Sequence, residues 1–221
     1  SLEASTTGLG LLDIYVGGID RASGRIATNV NIGGTLGTPS VDGTLQLREA
    51  QIDVYQVNLS LRALQLDARF NASALELSGQ TQVGNGRASF NGRLAWRDRE
   101  PYGNLHVEGE NLRLVDVPEA RIEASPKLDF KLEGRRIEAN GEVRVPRGRL
   151  EPADLTNAVL ASGDEVLVGA PPVDPAMRWI VVSNIRLTLG EDVNINSLGL
   201  TAKLGGSIVL RTDESQISRG Q

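Results

Sequence analysis

Leu128-Asp129-Phe130-Lys131-Leu132 and, one turn later, Gly141-Glu142-Val143-Arg144-Val145 state the pattern on which the whole chain is built. Apolar and polar residues alternate strictly, and a glycine or charged turn separates one run from the next. A period of two sends successive side chains to opposite faces, so each run reads as a β-strand with one oily and one wet side. Gly43-Thr-Leu-Gln-Leu47, Leu75-Glu-Leu77, Gly92-Arg-Leu-Ala-Trp96, Leu105-His-Val107, Ile185-Arg-Leu-Thr-Leu189 and Ser207-Ile-Val-Leu210 repeat it. Many strands sharing one apolar face make a surface, and function is expected in that surface.

A chain of 221 residues, 40% hydrophobic, is long enough to bury a core. Only 4% of its residues are aromatic, so Leu, Val, Ile and Ala must supply most apolar area. The net charge of −5 and the scatter of 23 Lys and Arg among 28 acids argue against a phosphate-backbone footprint, which excludes nucleic acid as a partner. The densest basic stretch, Arg135, Arg136, Arg144, Arg147 and Arg149, is interleaved with Glu133, Glu138 and Glu142 and reads as the solvated side of a strand pair. Absence of cysteine removes disulfides, thiolate metal sites and cysteine nucleophiles together. No run approaches the roughly 20 apolar residues of a membrane span, so the chain reads as a soluble piece.

Alternating runs at spacings of roughly 8 to 12 residues predict about 12 to 15 strands and almost no helix. Gly33-Gly34, Gly84-Asn-Gly86 and Gly205-Gly206 mark connections too short for a helical crossover, so neighbours should mostly pair antiparallel as a meander. Residues 1–150 are expected to carry the first part of the sheet, 151–178 a Pro/Gly-rich connection, and 179–221 the last strands. Within the connection, Pro152 can open one helical turn over Ala153 to Asn157. Trp179-Ile-Val-Val182 is apolar at every position and predicts a strand covered on both faces or carrying a bulge.

Chemistry is sparse. His106, the chain's single histidine, sits between Leu105 and Val107 and therefore faces solvent, and no Asp is marked out in the sequence to orient it for a triad. Gly84-Asn-Gly-Arg-Ala-Ser89 lacks the third glycine and the Lys-Ser/Thr pair of a phosphate loop and reads as a hairpin turn. Asp192, Asn194 and Asn196 alternate with Val193 and Ile195, the wet side of an ordinary strand. Asn58-Leu-Ser60 and Asn71-Ala-Ser73 fit the glycosylation sequon, a pattern short enough to arise by chance. No catalytic residue, cofactor or metal ligand is predicted.

Alternation alone fits a two-sheet sandwich or closed barrel as well as an open trough, since each buries one face. Monotonously aliphatic apolar positions and the lack of long Greek-key connections favour the trough. The turns add a resemblance. Gly33-Gly-Thr-Leu-Gly-Thr-Pro-Ser-Val-Asp-Gly-Thr-Leu-Gln-Leu47 resembles the repeated phrase of the TamB family. Gly141 to Pro152, Ser162-Gly-Asp-Glu-Val-Leu-Val168 and Asn184 to Leu210 are similar, in the same order, to that family's carboxy-terminal domain. The resemblance implies an AsmA-like protein of the diderm periplasm, anchored in the inner membrane. Its mostly antiparallel sheet curls into a taco-like trough with an apolar interior. It further implies an outer-membrane barrel partner, TamA, phospholipid transport between the membranes and assembly of nascent outer-membrane proteins. The anchor helix and final segment of the family pattern are not in this sequence, so attachment and TamA docking are expected to lie outside it.

The alternating set Leu45, Leu47, Ile52, Val54, Leu59, Leu61, Leu64, Leu66, Leu75, Leu77, Phe90, Leu94, Trp96, Leu105, Val107, Leu128, Phe130, Leu132, Val143, Val145, Leu187 and Leu189 is expected to line an apolar groove for phospholipid acyl chains. Each of these, taken alone, reads equally as core packing against a facing strand. About 13 strands at ~4.8 Å would give a channel on the order of 60 Å. The competing expectation is a chaperone-like scaffold whose edge strands pair with nascent barrel strands.

Overall fold

The computed structural model describes residues 2–6, 21–34, 39–71, 73–97, 100–151, 179–197 and 200–212. They form one 13-stranded sheet with a single 3-10 turn, Tyr55–Val57. The strands are β1 Leu2–Thr6, β2 Arg21–Gly34, β3 Pro39–Val54, β4 Leu59–Asn71, β5 Ala74–Val83, β6 Gly86–Arg97, β7 Glu100–Glu110, β8 Leu112–Val117, β9 Ala120–Glu133, β10 Arg136–Leu150, β11 Ile180–Ser197, β12 Leu200–Lys203 and β13 Gly206–Thr212. Their order is the order of the chain, as a meander requires, and no strand closes the sheet on itself. The sandwich and the barrel are therefore excluded among the described residues. The fold is the long, mostly antiparallel, open β-sheet of the taco-like class.

Two pairs of strands share a rank. β7 and β8 both pair with β9, meeting Lys127–Glu133 and Ala120–Ala124 respectively, so they are one bent strand broken at Asn111, whose φ is +49°. β12 and β13 both pair with β11 in the same way. Gly205-Gly206, expected to be a hairpin connection, is thus a kink inside one strand. The sheet is eleven ranks wide, and at ~4.8 Å per rank its long axis is about 50 Å rather than 60 Å.

All pairs but one are antiparallel. β10 and β11 run parallel, Arg136 opposite Ile180 through Leu150 opposite Ile195. A parallel neighbour requires a crossover of a dozen or more residues, and the stretch between these strands is the Pro/Gly-rich one. Its proposed helical turn at Ala153 to Asn157 lies outside the described residues. The expectation for Trp179 to Val182 fails: Trp179 is 55% and Val181 46% exposed. Among the described residues their strand has β10 on one side only at this level, because β13 pairs no further than Ser183, and the nearest register irregularity lies beyond Val145.

Strands of 13 to 18 residues bend because their ladders carry extra residues. Register shifts fall at Ser23/Arg25, Leu47/Ala50, Arg62/Gln65, Arg113/Val115 and Val145/Arg147. A bulge bends its strand and raises local twist. Glu49 and Ala63 hold positive φ within this row, at 51° and 48°. Between the two groups of bulges stand the β5–β6 hairpin turn, as the sequence predicts at Gly84-Asn85, and the Asn111 break. Together they form one crease crossing the sheet. Along it lie the buried apolar side chains Ala50, Leu64, Val83, Leu112, Ala124, Val145 and Val193.

The crease divides the sheet into a long arm and a short one. In the short arm, β8 fills the gap left by the early end of the β5–β6 hairpin and touches β4, β5, β6 and the 3-10 turn. The Asn58 side chain donates to the Asp116 carbonyl at 2.9 Å, satisfying an acceptor on β8's otherwise unpaired edge. Apart from β8, contacts of substance join hydrogen-bonded neighbours only, so no second layer covers the sheet among the described residues.

Candidate functional site

Facing positions in a ladder share a face, so the registers place every predicted groove residue. Phe90 stands opposite Val107, Val107 opposite Leu128, and Leu128 opposite Gly141. Leu105 meets Phe130, and Leu75 meets Leu94. Leu47 meets Leu66, Ile52 meets Leu61, Val54 meets Leu59, Leu45 meets Ala68 and Leu77 meets Ala68 from the other side. Val143 and Val145 meet Leu187 and Leu189 across the parallel pair. Leu64 lies opposite Ala50, Leu132 opposite Gly103 and Trp96 opposite Pro101. All twenty-two occupy the same face of the one sheet. The same face also carries Phe70, Val83, Ile137 and Ile185, in step with their strands but outside the predicted groove set, and Leu112, which the break at Asn111 puts out of step with Leu105 and Val107.

Burial sorts this face by height. Leu47, Leu64 and Val145 at the crease are buried, eighteen of the set are half-buried, and Trp96 is 46% exposed. Two clusters pin the crease. Leu47, Ala50 and Leu64 gather Ile26, Ile52, Leu66 and Phe90, while Ala124, Val145 and Val193 gather Leu114, Val143, Leu187 and Leu189. The Phe90 ring lies where a Cβ on Gly79 would stand, so an aromatic on one strand covers the bare backbone of its neighbour. Away from the clusters, Leu75, Leu77, Leu94, Leu105, Phe130 and Leu132 form an apolar field on which no polar side chain converges among the described residues.

The opposite face is polar and largely exposed. Gln46, Asp67, Ser78, Asn91, His106, Asp129 and Asn140 follow one another across seven strands by register. Longer charged residues flank this row and leave shallow clefts of about 480 and 580 Å³ between them, one beside Arg69, Glu76 and Arg93, the other beside Lys131, Glu133 and Glu138. These are gaps between upright side chains on a wet surface. The arginine-rich stretch behaves as expected: Arg136 pairs with Glu138, Arg144 with Glu142, and Arg149 with Glu151. Glu123 adds a partner for Arg147 and Arg113.

His106 lies on this polar face, but it is oriented after all. Its Nδ1 is 2.7 Å from Asp129 Oδ1, and its Nε2 is 3.7 Å from Glu108 Oε2. The hydrogen bond to Asp129 raises its pKa above the ordinary 6.5, with Glu108 adding to the effect. The cross-strand match of His106 with Asp129 depends on register, which alternation does not disclose. No group of three metal-ligating side chains is assembled among the described residues, and none of their helices is long and apolar enough to cross a membrane.

An open, creased, single-layer sheet with one aliphatic face defines an amphipathic β-trough rather than a folded core with a cleft. Residues 76–220, well over half of the chain, match the family described as TamB C-terminal domain. Over 213 residues the chain is 22% identical to the translocation and assembly module subunit TamB of Haemophilus influenzae, covering 90% of this chain and 16% of that protein. No solved structure matches it. The chain belongs to the TamB family. It spans about a sixth of the length of that relative.

Proposed function

We propose that the apolar face is the inside of the trough and carries phospholipid acyl chains between inner and outer membrane, as part of outer-membrane biogenesis in a bacterial periplasm. One observation carries the reading: twenty-two aliphatic and aromatic positions share a face on which eighteen are half-buried, with no second layer over them among the described residues. Such a face is too apolar to be left to water and too accessible to be a dry core. An acyl chain crossing water exposes over a dozen methylenes at ~0.8 kcal/mol each, a barrier of about 10 kcal/mol, which contact with Leu, Val and Ile surface largely removes. Among the described residues no polar group converges on the field to hold a head group, which suits passage along the sheet better than storage at one point.

Photocrosslinking from Leu94 or Leu132 tests this directly. Phospholipid adducts are expected at both. Recovery of protein adducts alone would count against conduction.

A second reading is favoured by a different observation. β13 pairs with β11 on one side, and its Ile208, Val209 and Leu210 are 55%, 45% and 50% exposed. It carries neither proline nor a bulge, so its backbone is a template for an added strand. A nascent outer-membrane β-strand would suit it, with a TamA-like outer-membrane barrel as the destination. Slowed hydrogen exchange at Ser207 to Arg211 on adding an unfolded barrel peptide would support this scaffold role.

A further inference from the structure

The chain has two tryptophans in an otherwise aliphatic sequence, and the fold brings both to one rim. Trp96 stands at the end of β6 opposite Pro101. Trp179 stands one alternation step beyond Val181, on the same face, at the entrance to β11. Backbone hydrogen bonds tie the long arm's rim together: Trp96 N–H donates to the Ser73 carbonyl at 3.2 Å, Gly134 to Pro101 at 2.7 Å, and Ile180 to Arg135 at 2.9 Å. Four strand spacings separate the two indoles, about 19 Å. They are 46% and 55% exposed, and Val181 beside them is 46% exposed.

On the reverse of the same rim the side chains are charged and of both signs. Arg97 stacks on Tyr102 at 4.8 Å from the ring centroid, with Glu100 and Glu133 exposed and Arg136 half-buried on the same face by register. An edge with indoles on one face and mixed charges on the other has the composition of elements that lie in a lipid–water boundary, where tryptophan keeps its ring in apolar surroundings and its N–H wet. Mixed charge complements a zwitterionic head group, which presents a phosphate and an ammonium side by side.

We infer that this rim seats in the interface of a phospholipid bilayer through Trp96 and Trp179, and so is the margin across which lipid passes on to or off the apolar face. The passage rests on the conduit reading; the seating does not. The opposite rim, where Tyr55 is 56% exposed in the 3-10 turn, stays in water.

With two tryptophans, the variants Trp96→Phe and Trp179→Phe each leave one reporter. On adding phosphatidylcholine vesicles, each emission spectrum is expected to shift to the blue and to be quenched by vesicles with brominated acyl chains. Trp96→Ala/Trp179→Ala should lose co-flotation with the vesicles while keeping the circular dichroism of the parent, and Tyr55→Ala should float as the parent does. Flotation without quenching would place the contact elsewhere and overturn the inference. So would quenching that persists after the vesicles are removed, because the lipid would then have moved on to the protein. A photoreactive diazirine at Leu132 separates the two ideas. Lipid adducts there without tryptophan quenching sink the rim and leave conduction standing; quenching without adducts does the reverse. Loss of a dimer in the double alanine variant, with no vesicle binding by the parent, would assign the rim to a second copy instead.

Discussion

Placing a carboxylate at two heights on the apolar face separates an open trough from a dry core. Leu132 is half-buried in the long arm, with Gly103 opposite on one flank and Ile137 on the other. Fully burying a leucine is worth about 1.5–3 kcal/mol, so Leu132→Asp forfeits about 1–2 kcal/mol of partial burial. The new carboxylate reaches water past Gly103, which has no side chain, and keeps its hydration. Val83 sits in the crease at 2% exposure. In Val83→Asp the carboxylate is shut away without a partner, and an uncompensated buried charge costs about 3–5 kcal/mol beyond the lost valine. The two substitutions should therefore differ by at least about 3 kcal/mol. Urea unfolding followed by circular dichroism reads the difference. With a slope of about 1–3 kcal/mol per molar, Leu132→Asp should move the midpoint by about 0.3–2 M, while Val83→Asp should leave little folded protein to titrate. Leu132→Asp should also abolish lipid adducts at Leu94. Equal destabilisation by the two would show that Leu132 is packed as tightly as the crease and would refute the open face.

The remaining predictions concern the curl and the polar side. Gly141 has a φ of +138°, and an added Cβ would strike the Lys127 carbonyl of β9, whereas Gly205 has open space around it; Gly141→Ala should cost about 2 kcal/mol or more in thermal unfolding, and Gly205→Ala almost nothing. Leu112, 4% exposed, packs over Gly109 at the Asn111 break, so Leu112→Ala should cost about 2–4 kcal/mol. His106 has a folded-state pKa above 6.5 because of Asp129, so its contribution is fully present below the unfolded value and is lost as pH rises through the folded one. An NMR titration of the single histidine should give a midpoint above 6.5, and Asp129→Asn should lower it; an unchanged midpoint would deny the pairing.

Much of this is legible in the sequence. Period-two alternation from Leu45 to Leu189 assigns each side chain to a face without knowledge of register, because one face of a strand is the same face wherever its neighbour lies. That is why residues as far apart as Leu47 and Leu187 fall together. Register itself is a relation between strands, and the sequence of each strand carries no mark of it. The pairing of His106 with Asp129, and of Arg147 with Glu123 rather than a nearer glutamate, was for that reason invisible. Bulges break the period they sit in. Ala50 and Leu112, among the most buried apolar residues, fall where the alternation loses step; Val83 keeps step with Leu75 and Leu77, but Gly79 and Thr81 interrupt the apolar run before it, and small residues such as Ala50 carry little hydrophobic signal. The kink at Gly205-Gly206 looked like a turn because glycine serves both purposes, and only the shared partner β11 distinguishes them.

The crease explains how a single layer stays folded with one face half-wet. A flat sheet of eleven ranks would expose its whole apolar side and invite a second sheet. Bending the long strands at one height brings the apolar side chains nearest the bend into contact with one another, and the buried residues do concentrate there: Ala50 at 0%, Val83 and Ala124 at 2%, Val193 at 3%. Stability is then carried by a narrow line of tight packing, leaving the arm above it free of that duty. Changes on the upper arm should alter what the face touches far more than whether the chain folds. Substitutions at Leu75, Leu94 or Leu132 that abolish lipid labelling while lowering the unfolding midpoint by no more than their lost partial burial would bear this division out, and a loss of folded protein like that of Val83→Asp would refute it.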